Sequence, residues 1–350
     1  MNCCGIDVSA RDLVVALRLP DHDLAPQTFP NHPAGHRRLL HWLHRHSASV
    51  RVTLEATGVY SLDLALFLAA AEGVELAVVN PKLIRRFAQS LDERSKDDPR
   101  DAQVLLEYAA RMPFHAWQPP SPAVLELRAI TRHMLALTEL RTATTNRLHA
   151  AHGSATTPAC LRQELQRSLR HIQASLRRLQ HQARQRVSQH PALQAQFQLL
   201  LTVPGIAELS ALQLLAEVGT LGDRNVRQWV KHAGLDVRHY CSGSSVRRPP
   251  HLSKCGNRYL RRALFMPALV AARCDPALRA CYQQLLARGK AKRQALTALM
   301  RKLLHAIYGM FRHHQPYRGT ALDPGWEGAA CAPPKERFSC TSPEKKTLDS

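Results

Sequence analysis

Four carboxylates in three short segments could hold metal in a chain that is otherwise strongly basic. They are Asp7 in Gly5-Ile6-Asp7-Val8-Ser9, Glu55 in Thr53-Leu54-Glu55-Ala56-Thr57-Gly58, and the pair Asp98 and Asp101 in Lys96-Asp97-Asp98-Pro99-Arg100-Asp101-Ala102. Mg2+ takes oxygen ligands and is commonly held by a few carboxylates plus substrate phosphate. Two such ions about 4 Å apart activate a nucleophile and stabilise the leaving oxygen of an in-line displacement. Gathering carboxylates without a cation is unfavourable through like-charge repulsion, so a cluster would imply an ion. Spacing alone does not establish the cluster. The Asp98 and Asp101 pair equally fits a helix start, with Asp98 as N-cap, Pro99 at the first helical position and Asp101 where a capping box needs its acid.

A second chemically capable stretch runs from His239 to Pro250, with Ser242-Gly243-Ser244-Ser245 ahead of Arg247 and Arg248. Leu252-Ser253-Lys254-Cys255-Gly256-Asn257 follows, and then a helix-favouring run carrying Arg258, Arg261 and Arg262. A hydroxyl on a Ser/Gly loop can reach a phosphate while guanidinium groups neutralise its charge. The plainer alternative is a flexible linker before a solvated basic helix. Three serines compete, and a hydroxyl without an evident base needs activation by metal or substrate.

These residues need a scaffold. Residues 1–118 read as α/β, with strands over 3–8, 13–17, 27–29, 50–56 and 75–79 and helices over 35–47, 62–71, 82–89 and 99–111. Strands alternating with helices imply a mostly parallel sheet that begins with a hairpin or meander. Asp7 and Glu55 fall at or near the C-terminal ends of their strands, the edge at which open α/β sheets form sites.

The run Trp117-Gln118-Pro119-Pro120-Ser121-Pro122 marks a boundary. Residues 119–195 read as a basic helical, coiled-coil-like segment, in which Leu165, Leu169, Ile172, Leu176 and Leu179 form a heptad-like seam flanked by arginines. Such a seam serves an antiparallel helix pair, a nucleic-acid-facing surface or a dimer contact. Residues 196–318 read as a mostly α-helical C-terminal domain. Within it, Leu200 to Ile206 followed by a helix over 210–218 resembles a helix-hairpin-helix, whose helix N-terminal N–H groups can hold a DNA phosphate. An ordinary Pro-Gly turn also fits. Residues 319–350 lack periodicity and read as a disordered tail.

Composition narrows the partner. With 48 Lys+Arg against 27 Asp+Glu over 350 residues, the formal charge is +21, which favours nucleic acid or an anionic surface. No apolar run approaches the ~20 residues of a membrane span, and the N-terminus lacks the order of a signal peptide. Nine cysteines without CxxC spacing point to thiols in a reducing cytoplasm. His41, His44 and His46 have ligand-like spacing, but no cysteine pattern accompanies them, and an amphipathic helix explains them as well.

Taken in order, these segments resemble the DEDD transposases of insertion sequences, relatives of the Piv-type DNA invertases. The segment from Gly5 to Ser9 resembles that family's first catalytic strand, and Leu54 to Tyr60 its second acidic motif. Asn80-Pro81, Arg86-Phe87-Ala88 and the run from Ser95 to Ala102 resemble the part that carries the last two aspartates. Val203-Pro204-Gly205, Ala233-Gly234-Leu235, Ser242-Gly243 and Leu252 to Asn257 resemble its C-terminal transposase domain.

The resemblance implies an RNase H-like, RuvC-type N-terminal domain that holds Mg2+ on Asp7, Glu55, Asp98 and Asp101, with Ser242 as nucleophile. It implies strand exchange of double-stranded DNA at element ends and target through a serine–DNA intermediate. It further implies a homo-oligomer (dimer or tetramer) with a composite site, and a non-coding guide RNA. Arg247, Arg248, Lys254, Arg258, Arg261 and Arg262 would contact the nucleic-acid backbone. Ala10 stands where many members have Lys, and Asp97 and Pro99 replace the Thr and Arg often seen around the third acid. Neither departure removes a carboxylate. Two alternatives stay open: a junction-resolving nuclease using the same acids with water, and a non-catalytic nucleic-acid-binding protein.

Overall fold

The computed structural model describes residues 2–91, 97–242 and 246–319, with positions 239, 242 and 246–249 described through their backbone alone. Ser95 and Lys96 of the third acidic segment, Gly243 to Ser245 of the serine segment, and the tail from residue 320 onwards lie outside the described residues. The chain divides into two compact units, Met1–Pro119 and Pro120–Ser350.

The first unit is α/β. Its elements are β1 (Cys3–Val8), β2 (Asp12–Arg18), β3 (Gln27–Pro30), α1 (Pro33–His46), β4 (Val50–Glu55), α2 (Val59–Ala69), β5 (Val74–Val79), α3 (Pro81–Ser90) and α4 (Asp98–Arg111). The five strands form one mixed sheet in the order β3-β2-β1-β4-β5. β1, β2 and β3 pair antiparallel, while β4 pairs parallel with both β1 and β5.

Strand alternation separates the two faces. Cys4, Ile6 and Val8 join Leu13, Val15, Val52 and Leu54 in a core completed by Leu39 and Leu43 of α1 and Leu64 and Leu68 of α2. On the opposite face, Cys3 packs with Val14 and Ala16 against Ala102, Leu106 and Ala109 of α4. Ala77 and Val79 meet Val104 and Leu105 of α4 and Ile84 of α3.

Two of the boundaries that differ from the sequence reading bear on the site. α2 begins at Val59, earlier than its apolar run suggests, because Gly58 turns the chain at φ +77° and the Ser61 hydroxyl accepts from the Thr57 amide at 3.1 Å. The N-cap of α4 is Asp97, whose carboxylate accepts from the Arg100 amide at 2.9 Å. Asp98 occupies the first helical position instead, so the capping role expected of Asp98 belongs to its neighbour.

The second unit comprises α5 (Pro122–Gly153), α6 (Ala159–Ser188), α7 (Pro191–Leu201), α8 (Glu208–Val218), α9 (Val226–Ala233), β6 (Val237–Ser242), β7 (Val246–Leu252), α10 (Arg258–Cys274), α11 (Pro276–Ala287) and α12 (Lys292–His313). Helices α5 and α6 form an antiparallel hairpin, with Arg186 of one 3.4 Å from Glu126 of the other. The base of that hairpin (Val124, Leu127, Ala183, Val187) belongs to the same core as α7 to α12. Along the leucine seam of α6, Ile172 is buried and Leu165, Leu169, Leu176 and Leu179 are half-buried.

The stretch read as a serine loop is mostly a β-hairpin. β6 pairs antiparallel with β7, and Ser242 stands opposite Val246. Pro249 and Pro250 are accommodated because they lie at the register shift, opposite the step from Arg238 to Tyr240, in a two-stranded ribbon where one edge of each strand needs no partner. No helix among the described residues is long and apolar enough to cross a membrane.

Candidate active site

The acidic edge is built by β1, β4 and α4. Gly5 on β1 faces α4, and a Cβ there would lie 2.3 Å from the Ala102 carbonyl oxygen and from the Leu106 amide. Only glycine lets the helix backbone lie this close to the strand. Two residues further along, Asp7 points to the same face. Cys3 meets the far end of α4 and Gly5 its middle, so Asp7 comes to the first turn, where Asp98 and Asp101 sit. The parallel register of β1 with β4 matches Gly5 to Thr53 and Ile6 to Leu54. Continued by one residue, it sets Asp7 beside Glu55.

Electrostatics report the same gathering. The Asp7 carboxyl is pushed from an ordinary 3.8 up to about 6, first by burial and then by the charges of Asp101, Asp98 and Glu55. A hydrogen bond from the Val8 backbone opposes the rise. The structure therefore places Asp7 within the fields of the other three sequence-predicted acids. Among the described residues, no three His, Cys, Asp or Glu side chains stand close enough together to share one ion. The three charges act on Asp7 across a wider spacing than a shared coordination shell.

The donor set fits a hard cation, being all oxygen, and the N-terminus of α4 adds a positive field that favours the acids. Thr53 Oγ1 and Thr57 Oγ1, which flank Glu55 in sequence, are buried polar atoms without a hydrogen-bond partner among the described residues. Loops at this edge are tied together by Asn31, whose side-chain amide donates to the Ser9 carbonyl at 2.8 Å and to the Tyr60 carbonyl at 3.1 Å. The histidine run lies elsewhere on α1. His44 donates to the Glu72 carbonyl at 3.1 Å, and the His46 ring packs edge-on against Trp42.

In the second unit, the base of the serine hairpin is clamped. Ser253 donates to Asp236 Oδ1 at 2.6 Å, its amide reaches the Asp236 carbonyl at 2.9 Å, and the Lys254 amide reaches the Gly234 carbonyl at 3.2 Å. Gly256, at φ +151°, passes so near the His232 carbonyl that a Cβ would lie 2.2 Å from it. Asn257 then caps α10, accepting from the Tyr259 and Leu260 amides at 2.9 and 3.2 Å.

The Asn257 side chain also donates to Glu217 at 2.6 Å. Glu217 is 2% exposed and receives two hydrogen bonds from Arg132, at 2.7 and 2.9 Å, with Arg128 at 3.5 Å. Burial alone would raise the Glu217 carboxyl, but hydrogen bonds from Arg132 and Asn257 and both arginine charges hold it below the ordinary range. His232, beside Asn257, is pushed down to about 4 by burial and by Arg224 and Arg128. Sequence reasoning missed Glu217 and its arginines. The available signal was one acid inside the apolar run Leu214-Leu215-Ala216-Glu217-Val218.

The predicted basic residues separate into groups. Arg258 lies over the Tyr259 ring, 4.9 Å from its centroid, and is exposed. Lys254 adopts a left-handed φ of +51°. Arg261 donates to the Ala233 carbonyl at 2.8 Å, which makes it part of the clamp, and Arg262 pairs with Glu139. Ser242, Arg247 and Arg248 are placed on the hairpin by their backbone.

Residues 4–152 match a transposase family model of the DEDD type, and residues 197–283 match the transposase IS116/IS110/IS902 family. The pilin gene-inverting protein of Moraxella bovis is 30% identical over 322 residues, covering 89% of this chain and 96% of the relative. The pilin gene-inverting protein of Moraxella lacunata is 31% identical over 325 residues with the same coverage. An uncharacterised 43.6 kDa protein of insertion element IS110 from Streptomyces coelicolor is 33% identical over 135 residues, 35% of this chain and 33% of that protein. These matches place the chain in the DEDD (IS110-type) family of transposases.

Proposed function

We propose that this transposase recombines the DNA of an insertion element with Asp7, Glu55, Asp98 and Asp101 as ligands for Mg2+ and Ser242 as nucleophile. The observation that carries the reading is the rise of Asp7 to about 6 under the charges of the other three acids. Carboxylates that repel one another at a sheet edge call for a cation and a phosphate. The sheet order, with three antiparallel strands followed by two parallel ones, supports an RNase H-like, RuvC-type reading of the first unit.

Bound Mg2+ would neutralise the scissile phosphate and polarise its oxygens. The chain's residues then divide the work. The Ser242 hydroxyl oxygen forms a bond to phosphorus and the bond to one deoxyribose oxygen breaks. The leaving strand takes a proton as a free hydroxyl, and the other strand remains as a serine phosphodiester. Attack by a hydroxyl of a second DNA strand reverses this chemistry, restores the serine and joins new ends, with no water consumed. Arg247, Arg248, Lys254 and Arg258 would neutralise flanking phosphates, joined by Arg262 on release from Glu139, while Arg261 supports the clamp as well.

The turn between α7 and α8, with Gly205 at φ +90°, supports a helix-hairpin-helix-like phosphate contact. The basic α5–α6 hairpin would serve a structured non-coding guide RNA or join subunits of a homo-oligomer.

The test is denaturing capture of a protein–DNA adduct with Mg2+ present. Wild-type protein forms the adduct and Ser242→Ala does not, while melting at the same temperature. Adduct formation and recombination by Ser242→Ala would remove the serine from its role. Free cleaved ends without adduct would instead indicate water as nucleophile.

A further inference from the structure

Beside the four acids, the same sheet edge presents exposed apolar side chains. The strands β1, β4 and β5 run parallel, so the first turns of α2 and α3, which follow β4 and β5, open at the same sheet edge as the strand ends that carry Asp7 and Glu55. Val59 and Tyr60 open α2 and are 75% and 52% exposed, and Leu83 in the first turn of α3 is 48% exposed. The tip is nevertheless held in place. Gly58 fixes the turn, Thr57 and Ser61 hydrogen-bond across it, and Asn31 holds the Tyr60 carbonyl. Around Leu83 the exposed face of α3 carries Arg85 and Arg86, while Ile84 faces the core.

An aromatic ring and branched apolar groups interleaved with arginines form the surface that holds unstacked bases of a single strand, with cations on the phosphates and π-faces on the bases. We propose that Val59, Tyr60 and Leu83 form a base-stacking platform for the unpaired DNA strand entering the acidic edge, with Arg85 and Arg86 on its phosphates. The inference rests on the reading of that edge as the site of strand exchange. Stacking also explains how a strand could be gripped next to four carboxylates, since base faces carry none of the phosphate charge.

The probe is a fluorescein-labelled dT20 oligodeoxynucleotide, titrated into the full-length protein with Ca2+ over a salt series. The double substitution Val59→Ala with Tyr60→Ala should weaken dT20 binding about ten- to a hundredfold while leaving the salt slope unchanged. Arg85→Ala with Arg86→Ala should flatten the slope. Tyr60→Phe should bind as wild type, because stacking needs the ring and not the hydroxyl. A dT20 carrying 5-iododeoxyuridine should photocrosslink to Tyr60. Binding of the double alanine variant within about twofold of wild type, or equal losses for Tyr60→Phe and Tyr60→Ala, would overturn the platform. Recombination by Asp7→Asn would instead overturn the reading of the acidic edge, so the two failures are distinguishable.

Discussion

Asp7 in the first unit and Glu217 in the second are both carboxylates drawn out of water, with opposite outcomes. Asp7 rises to about 6 because its neighbours are three more carboxylates. Glu217, more deeply buried, is held below the ordinary range by Arg132, Asn257 and Arg128. The charges that act on Asp7 are of its own sign, whereas those around Glu217 are opposite and balance it within the fold. The difference separates the proposed ligand site from a node that sets structure: Glu217 ties α5 and α8 to the Asn257 cap of α10, directly after the serine hairpin.

The largest effect should come from the acidic set. Asp7→Asn, Glu55→Gln, Asp98→Asn and Asp101→Asn should each lower strand exchange by about a thousandfold or more, the scale of several kcal/mol of lost charge stabilisation. Their melting temperatures should stay at or above that of wild type. A variant that loses activity only in proportion to lost folded protein would break the contrast.

Glu217→Gln should behave in the opposite way. It leaves two half-buried guanidinium groups without their counter-charge, so denaturant unfolding should show a loss of about 1–3 kcal/mol. Wild-type stability in this variant would show that the node contributes nothing to the fold.

Gly5→Ala tests the geometry under the acids. The added methyl meets the α4 backbone, which must shift, at a cost of about 1–3 kcal/mol. Recombination should fall further than stability, since the shift displaces Asp98 and Asp101 from Asp7. Activity retained at full level would mean that the approach of α4 to β1 does not set the site.

Much of this was legible in the chain. The apolar run from Cys3 to Val8 foretold the strand that carries Asp7, and Pro99 marked a helix start. The first unit's α/β character and the transposase family both followed. The α4 cap was misplaced by one residue because Asp97 and Asp98 are chemically equivalent as caps, and the choice falls to the chain path before Pro99. The β6–β7 hairpin was hidden by Pro249 and Pro250, which argue against a strand until the bulge is known. Glu217 was illegible because its meaning lies in Arg132 and Asn257, 85 and 40 residues away.

The central claim is that the acidic edge is incomplete without a divalent cation, and a thermal melt of the full-length protein tests it most directly. Because Asp7 holds its proton more tightly in the folded chain, its neutral form stabilises the fold fully below about pH 4, and that contribution is lost as pH rises through about 6. In EDTA, Asp7→Asn should therefore melt above wild type at pH 7.5 and level with it at pH 4. Mg2+ should raise the wild-type melting temperature at pH 7.5, raise it less at pH 5 where protons compete, and leave Asp7→Asn unmoved. An equal Mg2+ shift in both proteins, or none in wild type at pH 7.5, would contradict the account.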